Sequence, residues 1–328
     1  MRTIRYFEKA EMSTTSLLIN DIKNKLLITV CITYIALGTL GNVLNIILFT
    51  RRALWTLSPS IPLLLFASIA NLITIYPYLV LRACIGFSLT LVYTSSILCK
   101  MHIYLYYISV CISSWLMVGC CADRFFASSR NVKIRSYSNM KIIRRMITIV
   151  VVIIPCVYVQ TLYCYEINQF TKPSPCYQQN SACGAMDIVN YFVFQSVGPP
   201  VFMLIFIIGT LMHIRKTRQL KPETTGDNNN NNNNRKNNLV NTRLLFTQVA
   251  VYFLCSIPLF AMKIYALIPQ SIVSRSDVRL SIESFLLNVS LWFSIVDKIF
   301  SFYIYTLSSK YFRHELVKLF KRTIQNYF

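Results

Sequence analysis

Ser96-Ile97-Leu98-Cys99-Lys100-Met101-His102-Ile103-Tyr104-Leu105-Tyr106-Tyr107-Ile108-Ser109-Val110-Cys111-Ile112-Ser113-Ser114-Trp115-Leu116-Met117-Val118-Gly119-Cys120-Cys121-Ala122 holds one formal charge, Lys100, before it runs into Asp123-Arg124. Its apolar residues occupy the whole circumference of a helix instead of one stripe, the pattern of a span surrounded by protein or lipid. At 1.5 Å per residue it reaches about 40 Å, enough to cross a ~30 Å hydrocarbon core. Six more stretches share this character, at about 26–50, 59–81, 143–165, 188–212, 241–268 and 281–307. A backbone in lipid must satisfy its polar groups within its own segment, which favours helices. The short alternating strands of a β-barrel are not seen. The expected fold is an all-α membrane protein, a seven-transmembrane helix bundle.

Composition agrees. Of 328 residues, 55% are hydrophobic and 14% charged, against about a quarter charged in soluble domains. The net charge of +21 would suggest nucleic acid in a soluble protein, but its distribution points to a membrane and to no nucleic-acid partner. The segments between spans three and four, between five and six and after seven, together with Arg51 and Arg52 between one and two, carry 21 of the 33 basic residues. The opposite loops hold few, Arg82, Lys100, Lys172, Arg275 and Arg279 among them. Cytoplasmic loops collect Lys and Arg, so the C-terminus is expected inside and the N-terminus outside. Arg2, Arg5, Lys9, Lys23 and Lys25 weigh mildly the other way.

Residues 1–25 then form an extracellular segment without an apolar signal core, and 26–307 a single membrane domain. The Asn-rich tract within about 221–238 is expected to be a disordered inner loop, because so polar a stretch buries too little surface to order itself. In 308–328, Phe312, Leu316, Leu319 and Phe320 recur among basic residues at helical spacing. This predicts a short amphipathic helix on anionic lipid of the inner leaflet.

Specific residues narrow the class. The third span ends in Asp123-Arg124-Phe125, with Cys99 twenty-five residues before Arg124 at its other end. Gly41-Asn42 lies in the first span, Pro199-Pro200 in the fifth, and Cys255-Ser256-Ile257-Pro258 in the sixth. Ser301-Phe302-Tyr303-Ile304-Tyr305 closes the seventh, and Phe312-Arg313 follows. Taken in order, these resemble the motifs of class A (rhodopsin-like) G-protein-coupled receptors: Asp-Arg-Tyr, Gly-Asn, Cys-Trp-x-Pro and Asn-Pro-x-x-Tyr. The chain departs from them at Phe125, Ser256, Ser301 and Phe302. Any one Gly or Pro is common in membrane helices; their joint order carries the resemblance.

The resemblance implies a plasma-membrane receptor that binds an extracellular ligand and activates a heterotrimeric G protein. Asp123, Arg124, Phe125, Val132 and Tyr305 would form the coupling end, with Asp123 holding Arg124 at rest. Tyr252, Ser256, Pro258, Ser301 and Phe302 would be the bundle switch, using packing other than the family's. Cys99 would pair with a cysteine of the second outer loop, Cys176 or alternatively Cys183, with Cys164 nearby. Asn71 stands where the family keeps a sodium-binding Asp. Asp297, with Asn42, Asn71 and Ser113, is expected to form a polar centre that either holds a sodium ion or is neutralised by Lys298 or water. Tyr106 matches the amine-binding Asp and Ile295 the retinal-linking Lys, so monoamines and retinal are not expected. Tyr106, Tyr107, Tyr191 and Lys263, with Tyr76, Tyr78 and Tyr104 nearby, point to a peptide ligand, since tyrosines offer amphipathic contact area.

Other functions fare worse. A transporter would need repeats and several buried charges along a path; Lys263, Asp297 and Lys298 are few. No nucleophile–base pair or metal set supports an enzyme. A non-signalling decoy receptor is consistent with the altered switch motifs.

Overall fold

A computed structural model describes all residues except 1, 56–57, 88–94, 168–175, 220–228, 266–276, 309 and 328. Among the described residues, seven helices are long and apolar enough to cross a membrane. They are α1 (Arg2–Phe49), α2 (Ile61–Gly86), α3 (Ser96–Ser128), α4 (Met140–Cys164), α5 (Ser181–Arg215), α6 (Asn229–Tyr265) and α7. The last runs from Asp277 to Ser294 and, after two breaks, through Val296–Ile299 and Ser301–Ser308. An eighth helix, α8 (Lys310–Tyr327), follows.

Two boundaries differ from expectation. No Gly or Pro precedes Gly38, so once α1 is nucleated nothing stops it, and it continues back through the 1–25 segment. At α6, the 221–228 part of the Asn-rich tract lies outside the described residues. Residues 229–238, assigned by composition to the linker, are helical. Asn disfavours a helix by less than about 0.7 kcal/mol per residue, and extending an existing helix avoids the cost of nucleation.

α3 is the central column, largely buried, whereas α4 and α6 expose most of their apolar surface. Ile149, Val152 and Ile153 of α4 and Phe253, Leu254 and Ile257 of α6 face outward. In a membrane helix that surface meets acyl chains instead of water.

Three irregularities shape the interior. α2 widens into a π-turn at Ile75–Val80 around Pro77. α5 widens at Tyr191–Val197, ahead of Pro199 and Pro200. Proline donates no N–H and crowds the preceding turn, so carbonyls there lose their helical partners. Other helices take them up. The Trp115 Nε1–H of α3 donates to the Phe194 carbonyl at 2.8 Å, and the Tyr252 hydroxyl of α6 donates to the Gln195 carbonyl at 2.5 Å. α7 is interrupted at Ile295 (φ −111°, ψ 0°) and again at Phe300 (φ −95°, ψ 9°).

At the Cys99 end of the bundle, β1 (Tyr165–Ile167) and β2 (Cys176–Gln178) form an antiparallel hairpin, with Glu166 opposite Tyr177. Cys99 meets Cys176 with Cα atoms 5.7 Å apart. Cys164 and Cys183 pair with each other at 5.4 Å.

Candidate functional site

The polar side chains of the interior gather at three levels. At the Arg124 end, the arginine lies nine-tenths buried at the foot of α3. A guanidinium there needs partners. Asp123 supplies one at 3.8 Å. Closer partners come from the turn before α2, where Arg124 donates to Ser60 Oγ at 2.6 Å and also to Ser58 Oγ. The Asp123 carboxylate accepts from Ser138 at 2.7 Å. Ser58, Ser60 and Ser138 were invisible to motif reading, since serines before a helix usually serve as caps. Phe125, where the motif has Tyr, packs against Gly209, whose added Cβ would lie 2.6 Å from the ring. It also stacks on His213 at 5.0 Å. Tyr305 is buried against Phe49 and Phe312, and so ties α7 to α1 and α8. Val132 stands exposed on a short turn. Phe302 is buried in the same half of the core.

At mid-bundle, the Asn71 amide donates to Asn42 Oδ1 at 3.1 Å, and Ser113 donates to Asn71 Oδ1 at 2.6 Å. The Asn42 amide also reaches the Lys298 carbonyl at 3.1 Å. Ser301 joins by donating to Asn42 Oδ1 at 3.4 Å and itself accepts from the Asn45 amide at 3.2 Å. A narrow cavity is lined by Asn71, Ser113, Gln248, Tyr252, Asp297 and Lys298, among others. Asp297 shares that cavity, yet no hydrogen bond links its carboxylate to Asn71 or Ser113. Both its oxygens accept from Lys298 Nζ, at 3.0 and 3.1 Å. Adjacent residues on a regular helix point about 100° apart. The breaks at Ile295 and Phe300 let both turn inward. The ammonium is 1% exposed and lies 5.0 Å over the Tyr252 ring. Of the alternatives for Asp297, the geometry is that of neutralisation by Lys298. Ser256, two residues before Pro258, folds its Oγ–H back onto its own helix, onto the Tyr252 carbonyl at 2.7 Å.

At the Cys99 end, the hairpin brings Gln178 over α3. Asp187, on the first turns of α5, is 4% exposed. One of its oxygens accepts from Tyr107 at 3.2 Å, from Gln178 at 3.3 Å and from Lys263 at 3.3 Å. The Lys263 ammonium also lies 5.1 Å over the Tyr191 ring. The Tyr165 phenol, 3.4 Å from Tyr107, is held protonated, raised by burial and by the Asp187 charge. The structure therefore joins Tyr107 and Lys263 through Asp187, a residue outside every motif of the sequence, and Tyr191 through Lys263. Tyr106 stacks on Tyr78 at 4.1 Å, nearer α2. Tyr76 is exposed and Tyr104 bonds to Pro155 of α4, so neither joins this cluster.

The chain is a bundle of seven membrane-crossing helices with a buried arginine at one end of its central helix and a tethered hairpin over the other. The profile of the 7 transmembrane receptor (rhodopsin family) matches residues 41–305, and the chain belongs to that family. No curated protein gives a significant sequence match.

Proposed function

We propose that the chain is a receptor for an extracellular, peptide-like ligand that activates a heterotrimeric G protein, with its N-terminus outside and its C-terminus in the cytoplasm. The observation that carries this reading is the seat of Arg124. Its guanidinium is buried but held by two neutral hydroxyls and one carboxylate 3.8 Å away. Hydrogen bonds from a charged guanidinium to hydroxyls contribute about 1.5–3 kcal/mol each, less than a bidentate carboxylate offers, so a partner's carboxylate can compete for the arginine. That makes a two-state element of the kind signalling requires. A peptide suits the cluster of tyrosines, Gln178, Asp187 and Lys263, which mixes aromatic area with polar anchors. α8, with Lys318 and Lys321 beside Leu316 and Leu319, suits an anionic inner leaflet.

Sodium at Asp297 is proposed in altered form, as a competitor of Lys298. Agonist affinity in Lys298→Met would then respond to sodium more than in wild type. An equal response in both would remove the idea.

The test is ligand-stimulated nucleotide exchange on purified G protein after a peptide-library screen, with wild type and Arg124→Ala compared. Exchange should be lost in Arg124→Ala with ligand binding retained. Binding without exchange in wild type would favour the decoy reading, to which Ser256 and Phe302 lend support.

A further inference from the structure

Opposite the Asp187–Lys263 pair, the Cys99 end has a second polar corner, built where α1, α2, α3 and α7 meet. Arg82 of α2 donates to Asn288 Oδ1 of α7 at 3.0 Å and lies 5.5 Å over the Tyr78 ring. One turn earlier on α7, Ser284 accepts from Lys23 Nζ of α1 at 3.4 Å, and Asn20 accepts from the same ammonium at 2.9 Å. The helices are in close contact here: a Cβ on Gly86 would sit 2.6 Å from Ile28 and 3.5 Å from the Asn24 carbonyl. The two cations bond to residues one turn apart on α7, Lys23 to Ser284 and Arg82 to Asn288.

His102 of α3 is 5% exposed and stacks on Tyr78 at 5.5 Å. Neither ring nitrogen makes a well-formed hydrogen bond, although the Tyr78 carbonyl lies near. Among the described residues, no carboxylate pairs with Arg82 or Lys23. Asp21 faces Lys25 and Glu283 faces Arg279. Two cations held by neutral acceptors, beside a buried imidazole stacked on Tyr78, leave this corner positive with no opposing carboxylate among the described residues. The guanidinium fork carries five N–H donors, one of them committed through Nη2 to Asn288, and its planar geometry matches a carboxylate.

We propose that this corner binds the acidic group of the ligand, a carboxylate received by Arg82 with Lys23 and His102 in support. This deepens the receptor reading and rests on it. The ligand would then be gripped at two poles, its acidic group here and its polar or basic part at Asp187.

The test uses purified full-length receptor in phosphatidylcholine nanodiscs, with thermal unfolding as the readout and no G protein present. The probes are N-acetyl-tyrosine against N-acetyl-tyrosinamide for a peptide source, and dodecanoic acid against dodecanamide for a lipid source. At least one acid should stabilise the wild type at roughly tenfold lower concentration than its amide. That preference should vanish in Arg82→Gln and weaken in Lys23→Gln, with Arg279→Gln as the control. The responsive pair names the source. The proposal is overturned if neither acid outperforms its amide, or if the preference survives in Arg82→Gln. Loss of fold is checked with Arg82→Lys, which should retain part of the preference. Because binding is read directly, a failure of G-protein exchange leaves this result intact, and the reverse holds too.

Discussion

The buried pair at the break in α7 gives the sharpest prediction. At 3.0 Å between Lys298 Nζ and Asp297 Oδ2, and with an effective dielectric of about 20, the gross attraction is about 5 kcal/mol. Most of that only offsets the desolvation of two charges, so the pair itself contributes little net stability. Removing one member is different, because it leaves the other buried and alone. Lys298→Met should therefore lower stability by about 3–5 kcal/mol, and Asp297→Asn by a similar amount. The double variant Asp297→Asn/Lys298→Met should recover most of the loss, to within about 1–2 kcal/mol of wild type. Thermal unfolding of the four proteins in nanodiscs closes the cycle. Midpoints that fall additively, with the double variant as weak as the sum of the singles, would refute the reasoning and mean that the two charges find separate partners.

Further outcomes follow from other contacts. Tyr252→Phe deletes the hydroxyl that serves the Gln195 carbonyl; it should cost about 1–3 kcal/mol, since the carbonyl is left buried and unpaired, read as a lower unfolding midpoint. Cys183→Ser opens a closed segment of 19 residues, worth about 3 kcal/mol by loop-closure entropy. Limited proteolysis should then cut at the start of α5 sooner than in wild type. Asp187→Asn removes the charge that Lys263 faces. A basic peptide hit from the library should lose roughly tenfold or more in affinity, whereas a neutral hit should change little. Ser60→Ala takes one hydroxyl from Arg124; basal nucleotide exchange should rise by a few-fold, and an unchanged basal rate would argue against the hydroxyl seat as a restraint.

The seven spans could be read from sequence because lipid imposes one rule on every residue of a span, and 20 or so residues vote together. Arg124 and Cys99 could be read because each sits at a fixed end of one such span. What escaped depended on a single contact between distant segments. Asp187 looks like a loop-end acid until Gln178 and Lys263 arrive from elsewhere. Ser58 and Ser60 gain meaning only when α3 places a guanidinium over them. Lys298 was visible as a neighbour of Asp297, but helical periodicity would send the two apart. The breaks at Ile295 and Phe300, which bring them together, have no Gly or Pro to announce them. The reach of α1 back through 1–25 escaped for a related reason: apolar length marks what lipid requires and not where a helix must stop.

The carbonyls released by the α5 prolines have a mechanical implication. Trp115 and Tyr252 hold neighbouring rungs, Phe194 and Gln195, of one strut. A push on that strut from the Cys99 end cannot turn it without tugging on the central column and on α6 in the same stroke. The linkage is made of backbone oxygen, so no side-chain substitution on α5 can uncouple it short of replacing the prolines that set those oxygens free.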